Sequence, residues 1–233
     1  MKLLARWLRK RPQRSAASER ALTAYDALPD PDLHQPLQTA RCVVVDVETS
    51  GLDPFHDRLI SIGAVALTGG LLRLAESFEV VLRQHTPSDE RNILVHGIDG
   101  TTQASGQDAA DGLAAFLEFA GKSPLIGFHA DFDRTMIRRA MLAELGNEPG
   151  NAWLDVAVLA PALFADRAAA AVTLDDWLQV FDIENHSRHN ARADACATAQ
   201  LFQIVAAQAA RHGMRSCADL MRLEKDRRWL ERK

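Results

Sequence analysis
Two rhythms of apolar and polar positions alternate along the 233-residue chain. Short β-branched runs predict strands, and longer stretches with apolar residues three and four apart predict helices. The run Cys42-Val43-Val44-Val45-Asp46-Val47-Glu48, opening at Arg41, has the composition of a central strand. Thr49-Ser50-Gly51-Leu52-Asp53-Pro54 ends it in a loop. Residues 59–67 predict a second strand, Gly69-Gly70 a turn and residues 75–82 a third strand, making a meander. Leu113, Phe116, Leu117 and Ala120 recur at helical spacing within 107–120. Pro124-Leu125-Ile126-Gly127-Phe128 predicts a short buried strand, and a helix follows over 133–145, stopped by Gly146. Ala152-Trp153-Leu154 predicts a last strand, leading into a helix over 155–165. Thr173 is a good N-cap for a helix to residue 181. The longest helical stretch is 190–211, closed by Gly213, and Ser216 with Asp219 opens a charged final helix. Three strands in succession, then strands alternating with helices, describe an α/β fold. Its five-stranded sheet is mixed and flanked by helices.

Upstream, residues 16–28 predict a short helix. Leu28-Pro29-Asp30-Pro31-Asp32-Leu33-His34-Gln35-Pro36 reads as a linker, because three prolines preclude regular structure. The chain therefore divides into a basic N-terminal extension with linker (1–40), a main domain (41–213) and a charged C-terminal helix (214–233). Residues 1–14 carry six positive charges and no negative ones, as a solvated terminus does, and the Leu/Trp/Arg stretch at 3–11 reads as a frayed end. No run of eighteen apolar residues exists, so no membrane-spanning helix is expected. Cys42, Cys196 and Cys217 are odd in number and show no paired spacing, which points to reduced thiols and a cytoplasmic location. A net charge of −4 argues against gripping long nucleic acid through the whole surface, while binding at an end stays open.

Three clusters carry candidate chemistry. Asp46 and Glu48 are two apart on a strand, so they share a face, about 7 Å apart along the chain. Two carboxylates on a buried strand need a counter-charge, unless both reach solvent at the strand end. In Phe128-His129-Ala130-Asp131-Phe132-Asp133-Arg134 a strand runs into a helix with acids at the junction, where an isolated Asp would be an N-cap. In His189-Asn190-Ala191-Arg192-Ala193-Asp194 the His and Asp are five apart, which on a helix is a turn of about 500° and puts them on different faces. The simplest solution has His189 in a loop and Asp194 in the first or second turn of a helix. Alone, these would read as a surface His and a helix-start Asp. Taken together, four carboxylates and one imidazole suit two Mg²⁺ or Mn²⁺ ions and a neutral base. Two such ions clamp the oxygens of an in-line phosphoryl displacement.

At this point the order and context of the motifs resemble the DEDDh family of 3′–5′ exonucleases. The chain is most similar to the epsilon (proofreading, DnaQ-like) subunits of bacterial DNA polymerase III. Val45-Asp46-Val47-Glu48-Thr49-Ser50-Gly51-Leu52 is close to the family's D-x-E-T-T-G-L. Ile60-Ser61-Ile62-Gly63-Ala64-Val65 resembles its I-x-I-G-A-V, and Val95-His96-Gly97-Ile98 matches V-H-G-I. Phe132-Asp133 ends the second motif, Leu154-Asp155-Val156 resembles the D-T-L after it, and His189 with Asp194 makes the third. The resemblance covers residues 41–205 and implies a ribonuclease H-like fold. It implies that Asp46, Glu48, Asp133 and Asp194 bind the two metals, Asp46 bridging both, and that His189 is the general base. Thr49 and Leu52 would hold the 3′-terminal nucleotide, with Val95 and His96 lining the same pocket and Phe132 packing near it. The implied reaction is hydrolysis of the terminal phosphodiester, releasing a nucleoside 5′-monophosphate.

Two departures stand out. The family's His-Asn-Ala is Phe128-His129-Ala130 here, which gives His129 the substrate-ordering place of the Asn. Asp131 adds a fifth acid, read as solvent-facing. Arg188 and Arg192 flank the base and are placed for phosphate, whereas Arg134 and Arg138 read as a solvated helix face. Gln200-Leu201-Phe202 reads as core packing, and Cys42 and Cys196 as small buried hydrophobes. The expected substrate is a single-stranded DNA end. RNA ends, as taken by oligoribonuclease or ribonuclease T, are the near alternative, and a non-catalytic nucleic-acid or polymerase-binding module is the alternative from another class. The chain ends at Lys233 without a long flexible tail, which favours a stand-alone enzyme over a subunit held by a polymerase.

Overall fold
A strand is most strongly specified when both its faces find cover, and that condition organises this molecule. The computed structural model describes residues 14–168 and 171–230. The 3–11 stretch, and all of the basic 1–14 run except Arg14, lie outside the described residues. In chain order the elements are α1 (Ala16–Ala27), β1 (Arg41–Thr49), β2 (Leu59–Thr68), β3 (Leu71–Val81), α2 (Glu90–His96), α3 (Gly100–Ala104) and α4 (Ala109–Ala120). Then come β4 (Leu125–Gly127), α5 (Ala130–Glu144), β5 (Trp153–Asp155), α6 (Val156–Leu163), α7 (Leu174–Val180), α8 (Ala191–Arg211) and α9 (Cys217–Leu230). The five-stranded sheet has the order β3-β2-β1-β4-β5. The first three strands are antiparallel neighbours, and β4 and β5 add in parallel. The expected mixed sheet is therefore present, with β1 at its centre.

Alternation along β1 sorts the core. Cys42 and Val44 join Ile126, Leu154, Trp177, Leu201, Phe202 and Leu220 under α6 to α9. Val43, Val45 and Val47 join Leu22, Tyr25, Leu113, Phe116, Met136 and Ile137 under α1, α4 and α5. Helices thus cover both faces, and β2 is buried along all but its last residue. Burying each large apolar side chain contributes about 1.5–3 kcal/mol. The C-terminal helix joins this packing: Cys217 is buried and its Sγ lies 3.7 Å from Cys42 Sγ. Spacing alone gives no hint of that pair, 175 residues apart. Among the described residues, no helix is long and apolar enough to cross a membrane.

Three local expectations change. The third strand starts at Leu71, not 75, because β3 is an edge strand whose outer half is exposed and lacks an apolar rhythm. The helix expected from 133 begins at Ala130. Its entry is turned by His129 in a left-handed conformation (φ 58°, ψ 44°) with no side-chain cap, so neither Asp131 nor Asp133 is an N-cap. Between β3 and α4 lie two short helices, α2 and α3, that the apolar pattern does not predict. Each is capped by an aspartate, Asp89 accepting from the Asn92 N–H and Asp99 from the Thr102 N–H. Each buries only one residue, His96 or Gln103, so no apolar periodicity marks them.

Candidate active site
Asp46 and Glu48 continue the face of β1 that carries Cys42 and Val44, the face that packs on α8. Asp46 sits opposite Gly63 of β2. A Cβ at Gly63 would lie 2.1 Å from the Arg192 N and 2.2 Å from the Ala191 C, so only glycine lets the start of α8 rest directly on the sheet. That contact brings Asp194, in the first turn of α8, beside the two strand acids. Carboxylate oxygens of Asp46, Glu48 and Asp194 lie within 4.8 Å of one another. This is the one such group of potential metal ligands among the described residues.

Asp133 approaches from the neighbouring β4–α5 junction. It is 4% exposed and accepts the backbone N–H of Val47, beyond the point where β4 pairs with β1. It borders Asp46 but stands outside the three-residue group. His189 occupies the loop before α8, the simplest solution to the five-residue spacing, with a left-handed φ of 61°. Its backbone N–H donates to Asp194 Oδ2 at 3.0 Å, while its ring is exposed. Asn190 caps α8 by accepting the Ala193 N–H at 3.0 Å. Asn185, which lies outside the motifs, donates from Nδ2 to Asp194 Oδ1 at 2.5 Å.

Crowding these acids is costly. At an effective dielectric constant of about 20, two unit charges 5 Å apart repel by about 3 kcal/mol, and the group holds three such pairs. The total approaches the whole stability of an ordinary domain. Protons or cations must offset it. Burial, and then Asp194, push Asp46 well above the usual carboxylate range, with Arg188 opposing. Burial, then Asp46 and Asp194, raise Glu48 to about 9. Burial and Asp46 raise Asp133, against the Val47 N–H. Arg188 supplies part of the compensation. Its guanidinium pairs with Asp194 and, at 2.5 Å, with Asp175. Arg192 pairs with Glu79 at 3.3 Å. Both arginines expected to face phosphate are therefore engaged by carboxylates, because the nearest uncompensated charges are those of the protein itself. The donor set is all hard oxygen, which fits Mg²⁺ or Mn²⁺.

The remaining candidates spread around this centre. Thr49 is buried, and its Oγ1 donates to the Gly51 carbonyl at 2.6 Å. Leu52 is 89% exposed at the tip of the following loop, and Val95 is 53% exposed on α2 beside Leu94, at 84%. His96 is buried: its Nδ1 accepts the Ile98 N–H at 2.9 Å, and its Nε2 lies 2.9 Å from Asn92 Oδ1. Phe132 packs on the core beneath α5, and the His129 side chain is exposed, edge-on to Phe128. Asp131 does face solvent, but it is also paired with Arg228 of α9 at 2.9 Å. Arg138 has Glu148 as partner on the outer face of α5.

Residues 43–202 match the model of the RNase_T family, described as exonuclease. A DNA polymerase III PolC-type protein of Caldanaerobacter subterraneus subsp. tengcongensis is 29% identical over 76% of this chain, a match that spans 12% of that protein. A DNA polymerase III subunit epsilon-like protein of Rhodobacter capsulatus is 31% identical over 72% of this chain and 24% of its own length. The chain thus spans a quarter or less of these relatives. Among solved structures, E. coli exonuclease I in complex with a dT13 oligonucleotide superposes with a TM-score of 0.65 at 19% identity, over 74% of this chain and 42% of that one. Exonuclease X in complex with 5′ overhanging duplex DNA gives 0.62 at 16% identity, over 78% and 99%. At these identities the structures establish a shared fold.

Proposed function
The chain belongs to the RNase_T exonuclease family, and from that premise we propose that it hydrolyses the 3′-terminal phosphodiester of single-stranded DNA and releases nucleoside 5′-monophosphates. The observation that carries this reading is the carboxylate group Asp46–Glu48–Asp194, with Asp133 bordering it and His189 tied to Asp194 through its backbone.

In this reading Asp46, Glu48, Asp133 and Asp194 would hold the two Mg²⁺ or Mn²⁺ ions. When bound, the ions supply positive charge to the phosphate and the displaced oxygen. His189 accepts the proton of the attacking water at an imidazole nitrogen. Its fixed backbone and exposed ring support that role, since the ring is free to approach a substrate. Leu52 meets the terminal base by apolar contact, and Val95 faces it from α2. Thr49 keeps the Thr49–Leu52 loop in shape and lines the sugar side. Phe132 supports the pocket floor from α5. His96, with both ring nitrogens engaged inside its own segment, holds α2 in position and so acts on the pocket through Val95. His129 orders the turn before α5 by its backbone. The exonuclease I neighbour bound to an oligonucleotide and the polymerase-named relatives support a DNA substrate. The polymerase-named relatives are the observation that favours a polymerase partner over the stand-alone enzyme expected from the sequence. Three free cysteines support a reducing, cytoplasmic setting.

A time course on 5′-labelled single-stranded DNA with Mg²⁺ or Mn²⁺ tests the proposal. A ladder that shortens from the 3′ end and is abolished by EDTA is expected. Faster cleavage of a matched RNA oligonucleotide would move the substrate to RNA. No cleavage of either by folded protein would leave a binding module on this fold.

A further inference from the structure
Helix α9 lies beyond the 43–202 segment that matches the family, yet one of its side chains reaches the base of the site. Arg228 donates to three carboxylates: Asp155 at 2.9 Å, Asp131 at 2.9 Å and Glu224 at 3.0 Å. Glu224 in turn accepts the backbone N–H of Asp155 at 3.0 Å. Asp155 is 4% exposed, and a buried carboxylate persists only when its oxygens are satisfied. Its Oδ2 takes Arg228, and its Oδ1 accepts two backbone N–H groups, those of Ala157 and His129, each at 3.0 Å.

The His129 N–H is the last one before α5. His129 is left-handed, a conformation that a non-glycine residue keeps only when its surroundings hold it. Asp155 supplies that hold. The first turn of α5 then carries Asp133 into the site with little slack. A Cβ on Gly127 would lie 3.2 Å from the Ala130 Cα and 3.4 Å from Asp133 Oδ2. Arg228 also grips Asp131, in the same turn. So α9 holds the start of α5 at two points, once through Asp155 and once directly.

We propose that Arg228 is a positioning residue for Asp133: by fixing Asp155 and Asp131 it fixes the His129 turn, and with it the carboxylate that holds a divalent cation. The proposal rests on the reading of Asp133 as a metal ligand. Its test is a double-mutant cycle on the full chain, read by calorimetric Mn²⁺ binding, with thermal melting as the check on folding. Arg228→Met is expected to weaken Mn²⁺ binding about tenfold, and Arg228→Lys, which keeps the charge but not the three-way fork, about threefold. Lys122→Met, which breaks a remote ion pair with Asp30, should leave binding unchanged. If Arg228 acts through Asp133, adding Arg228→Met to Asp133→Asn costs no further affinity. A general loosening of the fold predicts additive losses instead. Folded Arg228→Met with the parent's affinity, or additive losses, would overturn the proposal. Should Arg228→Met not fold, Arg228→Lys decides alone: weakened binding supports the proposal and unchanged binding ends it. If Asp133→Asn itself binds like the parent, the reading of Asp133 as a ligand fails, and the proposal fails with it.

Discussion
Glu48→Gln should make the metal-free protein more stable while destroying its activity. Burial first, and then the neighbouring Asp46 and Asp194, raise Glu48 from an ordinary 4.5 to about 9, with Arg188 opposing. A carboxylate raised on folding binds its proton more tightly in the native state than in the unfolded one. Its contribution to stability is therefore fully present below pH 4.5 and is lost as the pH rises through about 9. Between pH 4.5 and 7.5 that amounts to at most about 4 kcal/mol, at roughly 1.4 kcal/mol per pH unit. Water on the open side of Glu48 and reorientation of Arg188 reduce this to about 2 kcal/mol. Glutamine keeps the shape and cannot ionise, so it escapes the loss. For a domain of this size, 2 kcal/mol raises the melting midpoint by about 4–8 °C. Melting curves in EDTA at pH 7.5 should show that gain, and curves at pH 4.5 should coincide with the parent's. Saturating Mn²⁺ should stabilise the parent and do little for the variant, and nuclease rates should fall by at least about 10²-fold. A variant less stable than the parent at pH 7.5, or a gap independent of pH, would refute the argument that burial and mutual repulsion hold this carboxyl above its ordinary range.

Other perturbations separate the roles. His189→Asn should lower the rate about 10²–10⁴-fold, the usual worth of a general base, with an unchanged melting midpoint, since the ring has no hydrogen-bond partner among the described residues and asparagine keeps the left-handed backbone. A parent-like rate would remove His189 from the mechanism. Gly63→Ala drives a Cβ into the backbone of Arg192 and Ala191; a loss of about 1–3 kcal/mol is expected, with a larger fall in activity than melting accounts for. Gly150→Ala, with nothing among the described residues within 4 Å of the new Cβ, is the comparison, and equal effects from the two would defeat the packing argument. His129→Asn should melt and cleave like the parent, whereas His129→Val should lose about 1–2 kcal/mol by melting, because a β-branched residue resists the left-handed region. Equal tolerance of both would show that backbone conformation is not what position 129 supplies.

The centre of the fold is legible because its signals are local. A β-branched run with acids two apart marks β1, and the five-residue interval between His189 and Asp194 has a loop followed by a helix as its simplest solution. The capping pair at the start of α9 is equally plain, Ser216 Oγ accepting the Asp219 N–H and Asp219 accepting the Ser216 N–H. What stays hidden is pairing between distant residues. Nothing near Arg188 in sequence announces Asp175 as its partner, and nothing near Arg228 announces Asp155. Helices α2 and α3 are hidden for another reason. They are held by aspartate caps and by the buried polar contacts of Gln103 and His96, which leave no apolar period to read.

Position 129 shows how a departure from the family pattern becomes intelligible once geometry is known. As a side chain, His in place of Asn looks like a change of chemistry near the clustered carboxylates. As backbone, it is conservative: Asn and His are both enriched among non-glycine residues with positive φ, and φ here is 58°. The exposed ring, edge-on to Phe128, points to the same conclusion, since the group with a buried partner is the N–H bound to Asp155. Demand on this turn therefore runs from α5 through Asp155 to α9, and the residue that matters for Asp133 is Arg228 more than the imidazole next to it.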